Sequence, residues 1–182
     1  MNILVINGHK YYSFAPGRLN KTLFEKIVEF LTPYANIKTT IIEEGYELQE
    51  EIEKFRWANI IIFQSPVNWF SFPYTFKQYI DAVYKHGDFY GPSDKYGFGG
   101  KLNNTQYMYS LTCNSPLKAF TESHGFFDGR CPDDMFIAMH KIQEYCGMSR
   151  LPSFFAMDVV KNPDVPKFLE ELENHLKKYI LL

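Results

Sequence analysis

The chain has 182 residues, enough for one domain with a single sizeable core. Hydrophobic residues make up 46% and aromatic ones 18%, which excludes a disordered chain and leaves aromatics over for a pocket or an interface. A formal charge of −2 gives no electrostatic case for nucleic acid or an anionic membrane as partner.

Residues 2–6 (NILVI) form the first expected strand, apolar throughout as in a parallel sheet covered on both faces. The loop GHKYYSFAPG leads into a helix marked by Leu19, Leu23, Ile27 and Leu31. Residues 37–42 (IKTTII) are a β-branched second strand. Residues 47–56 form a short charged helix with Leu48, Ile52 and Phe55 along one side. The run 58–63 (ANIIIF) is the most apolar strand and so the expected sheet centre. Phe72, Phe76, Ile80 and Val83 mark a third helix, with Ser71 as its expected cap and Pro73 near a first turn that needs no N–H.

Residues 86–102 are glycine-rich, irregular and longer than an ordinary connection, which points to function or mobility. Residues 106–111 (QYMYSL) form the fourth strand, followed by a second long loop with a helical turn expected around 117–121. Asp133 or Asp134 caps the next helix, whose stripe is Met135, Met139, Ile142 and Cys146, with Gly147 as the C-terminal glycine. Residues 153–160 are the fifth strand, and 163–179 the last helix, with Phe168, Leu172 and Leu176 inward.

Five strand–helix alternations imply right-handed crossovers and an open parallel sheet with helices on both faces, since a closed barrel needs eight. No repeat, low-complexity segment or linker divides the chain, so residues 1–182 read as one domain. Ligands bind such sheets beyond the carboxyl ends of the strands. The three irregular loops 8–18, 64–70 and 112–130 all fall there and together form one composite candidate site.

The first loop, NGHKYYSFAPGRLNKT, opens a helix whose backbone N–H groups suit phosphate, with His9, Lys10 and Arg18 adding charge. It matches neither GxGxxG nor GxxxxGK[ST], so an ordinary capped loop tied down by Asn20 is an equal reading. Five scattered histidines without ligand spacing argue against a metal, and His140 and His175 read as surface or interface residues. Cys113 and His124 share a rim loop and make a chemically sensible pair, against the plainer reading of Cys113 as a small buried hydrophobe. No GxSxG elbow supports a hydrolase. The loop QSPVNWFSFP presents Pro66, Trp69 and Phe70 either as a clamp for a flat ligand or as packing under a helix or a second subunit. Three cysteines, an odd number, suit a reducing compartment. The start MNILVING lacks a signal-peptide pattern, and no apolar stretch is long enough to span a membrane, so cytoplasm is expected.

The segments NILVINGHK…PGRLN, WANIIIFQSPVNWFSFPYTFKQYIDAVY, KYGFGGKL, YMYSLTCNSPLKAFTE and GMSRLPSFFAMDVVKNPDVPKFLEEL run in order across nearly the whole chain. Together they resemble the modulator of drug activity B family, flavodoxin-like NAD(P)H:quinone oxidoreductases. The resemblance implies an α/β three-layer sandwich with a five-stranded parallel sheet of order 2-1-3-4-5. It also implies FAD at the strand-end rim, NAD(P)H and quinones as substrates, and a homodimer with the flavin near the interface. By position, His9 and the segment Ala15, Pro16, Gly17, Arg18, Leu19, Asn20, Lys21 and Thr22 resemble the pyrophosphate turn. Pro66, Val67, Asn68 and Trp69 resemble the loop beside the flavin ring, and Thr112, Cys113, Asn114 and Ser115 the loop at its other edge. Tyr96 resembles a tyrosine that reaches the cofactor from the neighbouring subunit. Trp69 and Phe70 form the expected apolar wall, and His124 is a candidate proton donor to the quinone. Alternatives are an FMN-dependent azo- or nitroreductase of the same fold, and a non-catalytic flavin- or partner-binding protein.

Overall fold

Four strands, β1 (Asn2–Asn7), β2 (Asn36–Ile41), β3 (Ile60–Pro66) and β4 (Gln106–Cys113), run parallel. Two short pieces, β5 (Ser149–Arg150) and β6 (Phe154–Met157), both lie along β4. The structure, a computed structural model, describes residues 1–181. The order β2-β1-β3-β4, with β5 and β6 outermost, is the expected 2-1-3-4-5 order with the last strand in two parts. Pro152 accounts for the break, because it has no N–H to give the ladder. β3 is the centre of the sheet, as its apolar run requires.

Successive strand residues point to opposite faces. Ile3, Val5, Ile60, Ile62 and Met108 meet the apolar sides of α1 (Arg18–Leu31) and α6 (Val165–Leu176). Leu4, Ile6, Ile61, Phe63, Tyr107 and Tyr109 meet α2 (Leu48–Trp57), α3 (Tyr74–Val83) and α5 (Ile137–Tyr145) on the other side. Leu23, Ile27, Leu31, Phe168, Leu172 and Leu176 are buried at their expected spacing. The turn expected around 117–121 is the short α4 (Lys118–Thr121).

Several local expectations are corrected. Leu48 is exposed, and Glu51 is fully buried instead. Its carboxylate is satisfied there by Thr40 Oγ1 at 2.9 Å, Lys54 Nζ at 2.6 Å and Tyr79 Oη at 2.5 Å. Ser71 does not cap α3; its backbone pairs with Asn68, and Pro73 precedes the helix with no side-chain cap. On α5 the deepest positions are Phe136, His140, Gln143 and Cys146, while Met135, Met139 and Ile142 are only partly buried.

His140 is therefore no surface residue. Its Nε2–H donates to Asp133 Oδ1 at 3.2 Å, leaving Nδ1 to accept from the Tyr107 hydroxyl at 2.8 Å. Tyr84 Oη likewise donates to Gln143 Oε1 at 2.7 Å. Core tyrosines from the sheet and α3 need polar partners, and α5 supplies them. Asp134 accepts from the Cys131 N–H at 3.1 Å and so starts the 3₁₀ turn before α5, and Gly147 follows that helix at φ +92°.

Candidate functional site

Four buried polar side chains cross the carboxyl ends of the three central strands. Asn20 Nδ2 donates to Asn7 Oδ1 at 2.8 Å, and Gln64 Nε2 donates to Asn20 Oδ1 at 3.0 Å. Ser110 Oγ completes the chain by donating to Gln64 Oε1 at 2.6 Å. Asn7 Oδ1 also accepts the His9 N–H at 3.0 Å, which fixes where the first loop leaves the sheet. Each group is nearly or fully buried, so each needs these partners. The chain bolts the start of α1 to β1, β3 and β4. Asn7 and Ser110 were not among the expected site residues, and Gln64 was expected only as the start of the 64–70 loop; the signal for them is an isolated polar residue late in an otherwise apolar strand.

Above this chain lies a cleft of about 460 Å³. One wall is the first loop and helix start: His9, Tyr12, Phe14, Ala15, Pro16, Gly17, Arg18, Leu19 and Asn20. The opposite wall is Pro66, Val67, Asn68, Thr112 and Asn114, closed by Pro73, Val159 and Val160. Gly17 stands at φ +73°, and a Cβ there would collide with the His9 imidazole. No side chain caps α1, and its intrahelical ladder opens at Lys21 N–H to the Gly17 carbonyl, 2.9 Å. The preceding amides of the first turn have no partner within the helix. They combine with the helix dipole to favour an anion. His9 Nε2 lies 3.2 Å from the Ala15 carbonyl and holds the loop closed over the glycine.

The remaining expected site residues fall outside this lining. Lys21 and Thr22 lie on α1 beyond its first turn; Lys21 faces Glu25 at 3.7 Å, and Thr22 Oγ1 donates to the Arg18 carbonyl at 3.0 Å. Cys113 is buried, and burial pushes its thiol pKa up against the lowering hydrogen bonds of Ser115. Ser115 accepts the Asp158 N–H on its carbonyl at 3.2 Å. Trp69 and Phe70 cap a hairpin just beyond Asn68, with Trp69 89% exposed. His124 is exposed on the loop after α4. Tyr96 is 91% exposed and lies away from the cleft, in a second groove of about 1100 Å³ between α3, α5 and the 86–102 segment. Tyr84, Tyr90, Phe98 and Tyr145 line that groove with it.

The family described by the flavodoxin-like fold matches residues 1–180. The chain is 41% identical to the NADPH:quinone oxidoreductase MdaB of Haemophilus influenzae, over 98% of each chain. It belongs to this flavodoxin-like family, in its modulator of drug activity B branch. Solved structures share the fold at lower identity. A proposed quinone reductase of Klebsiella pneumoniae superposes with a TM-score of 0.79 at 21% identity, covering 98% of this chain and 84% of that one. An azoreductase of Bacillus anthracis superposes with a TM-score of 0.72 at 12% identity, covering 98% and 99%.

Proposed function

We propose that the protein is an NAD(P)H:quinone oxidoreductase that works through FAD held in the cleft. The observation that carries this reading is the meeting, in one cleft, of an uncapped helix start with a flat wall of Pro66, Val67 and Asn68. The first matches a pyrophosphate and the second a planar ring. The residues present therefore fit a flavin, and its relative's name supplies the quinone and the pyridine nucleotide.

A bound flavin supplies the two-electron chemistry, accepting a hydride from NAD(P)H and passing the electrons to a quinone in alternating half-reactions. The chain's own contribution is binding and orientation. The amides of Gly17, Arg18 and Leu19, with the Arg18 guanidinium, hold the pyrophosphate, and Ala15 and Pro16 limit that turn to backbone contacts. Pro66 to Asn68 would lie beside the ring, and Thr112 and Asn114 would contact its other edge. Stiff residues here reduce the entropy lost on ordering. Trp69 and Phe70, at the hairpin beyond Asn68, would shield the bound ring from water, and His124, exposed on the loop after α4, would hand a proton to the reduced quinone.

The protein acts as a homodimer, in the reducing cytoplasm that its three free thiols suit. The second groove, rich in exposed aromatic surface, receives the partner, and Tyr96 reaches from each protomer toward the other's cleft. Burying such a patch is the ordinary reason for its presence on a soluble chain.

The test is to purify the protein, identify any released flavin by chromatography, and assay menadione reduction with NADPH and NADH. FAD with quinone turnover is expected. FMN with azo-dye turnover that exceeds quinone turnover selects the azoreductase alternative. A colourless protein that ignores added FAD and shows no turnover overturns the proposal.

A further inference from the structure

Trp69 and Phe70 occupy consecutive left-handed backbone positions, φ +49° and +63°. They are the two central residues of a tight turn closed by Asn68 and Ser71, whose backbones bond at 2.7 and 3.1 Å. Such turns ordinarily take Asn-Gly, because a Cβ is costly in this region. Strain of this kind persists where the surrounding structure holds it and a site uses it. Phe127 holds the far side: its ring meets Phe70 edge-on at 5.8 Å and lies flat on the fully buried Phe120 at 3.9 Å, while Phe126 beside it stays exposed. The Val67 N–H holds the near side by donating to the Thr112 carbonyl at 2.8 Å, at the end of β4. Asn68 is fixed between them.

What the turn delivers is the Asn68 side chain. Its Nδ2 donates to the Tyr12 hydroxyl at 3.3 Å, and these two residues stand on opposite walls of the cleft. Tyr12 is as firmly set as its partner. Its backbone exchanges bonds with Ala15 at 3.3 and 3.0 Å, and the Ala15 carbonyl lies 3.2 Å from His9 Nε2. Phe14 stacks on the Tyr12 ring at 5.2 Å and 23°. A phenol both donates and accepts, so the link forms with either orientation of the amide. Tyr11, Phe14 and Trp69 beside the link are exposed, whereas Asn20 and Gln64 at the foot of the cleft are buried. The link therefore crosses the solvent side of the cleft, opposite the polar chain.

We infer that Tyr12 is a positioning residue of the cleft: acting through Asn68, it ties the two walls across their open side and so gates the passage of the flavin. This inference rests on the reading that the cleft holds FAD. At about 460 Å³ the cleft lies in the lower half of the usual range for ligand sites, so a dinucleotide leaves its walls little slack. One wall takes the phosphates and the other the ring, and the walls must part for the molecule to pass. The link joins protein groups only, so it is available to the filled and the empty cleft alike. Breaking it lowers the barrier in both directions and leaves affinity nearly unchanged.

The experiment follows flavin fluorescence in two measurements: entry of FAD into protein stripped of cofactor, and its release from holoprotein on dilution. Tyr12→Phe removes the hydroxyl and keeps the ring against Phe14. It is expected to speed entry and release alike, about fivefold each, the size of one hydrogen bond, with Kd within about twofold of the wild type. In an Asn68→Ala background the same substitution changes neither rate beyond about twofold, because its partner is already gone. Faster release with unchanged entry makes Tyr12 an ordinary contact to the flavin and overturns the inference. Unchanged rates overturn it too, as does an equal acceleration in the Asn68→Ala background. Each of these results leaves FAD binding, and with it the reductase reading, intact. A wild-type protein that binds no FAD overturns that reading itself, and this inference with it.

Discussion

Replacing Asn20 by Ala tests whether the buried polar chain builds the site. Asn20 is only 2% exposed and is bonded on both sides, to Asn7 at 2.8 Å and from Gln64 at 3.0 Å. Truncation leaves Gln64 Nε2 without a partner at a fully buried position, which costs about 1–3 kcal/mol. Asn7 Oδ1 keeps the His9 N–H, so there only one net hydrogen bond is lost, worth about 0.5–1.5 kcal/mol. The sum is about 1.5–4.5 kcal/mol, or roughly 3–18 °C in Tm for a chain of this size. Urea unfolding followed by circular dichroism measures it, with the midpoint falling and the slope unchanged. FAD affinity falls as well, because the start of α1 is no longer bolted to the sheet. A loss below about 1 kcal/mol refutes the reasoning, since water would then be replacing the missing amide.

Trp69→Asn stabilises the fold by about 0.5–1 kcal/mol, because Asn tolerates the left-handed position and the exposed indole contributes little packing; quinone turnover falls in the same variant, and a lower Tm contradicts the account. Acid sensitivity traces in part to Asp133. Burial raises its pKa, but the hydrogen bond from His140 and the charge of Arg150 outweigh this and hold it below its ordinary 3.8. The depressed folded value means its contribution is present above the unfolded pKa and is lost as pH falls through the folded one. Asp133→Asn therefore lowers stability at neutral pH and flattens the acid limb of a urea-midpoint profile taken from about pH 6 to about pH 2; an unchanged acid limb contradicts this. Thiol titration of the native protein with a disulfide reagent at mild alkaline pH detects one cysteine, the exposed Cys131. Burial pushes Cys146 up to about 12 and raises Cys113, so both react only after denaturation; two or more fast thiols contradict the burial described.

The central place of β3 and both helical layers were legible because apolar runs and four-residue stripes report burial directly, whereas the full strand order came from the family resemblance. Errors arose where polar residues are buried. Gln64 and Ser65 read as the start of a loop, yet β3 continues through them to Pro66, because Asn20 and Ser110 satisfy Gln64. His140 read as a surface or interface residue and Gln143 lay outside the expected stripe, yet hydroxyls of Tyr107 and Tyr84 call for partners inside. The rim loops announced a site by their length and position. Their division of labour was not legible, since Phe126 and Phe127 are adjacent and alike in sequence and differ only in which ring finds Phe120.

A double-mixing experiment tests the central claim most directly. The oxidised holoenzyme is mixed with NADPH alone and its flavin absorption followed; menadione is then added once the nucleotide is spent. The account predicts rapid bleaching in the first step and full recovery of the oxidised band in the second, each without the other substrate present. A band that NADPH does not bleach, or that the quinone does not restore, contradicts it.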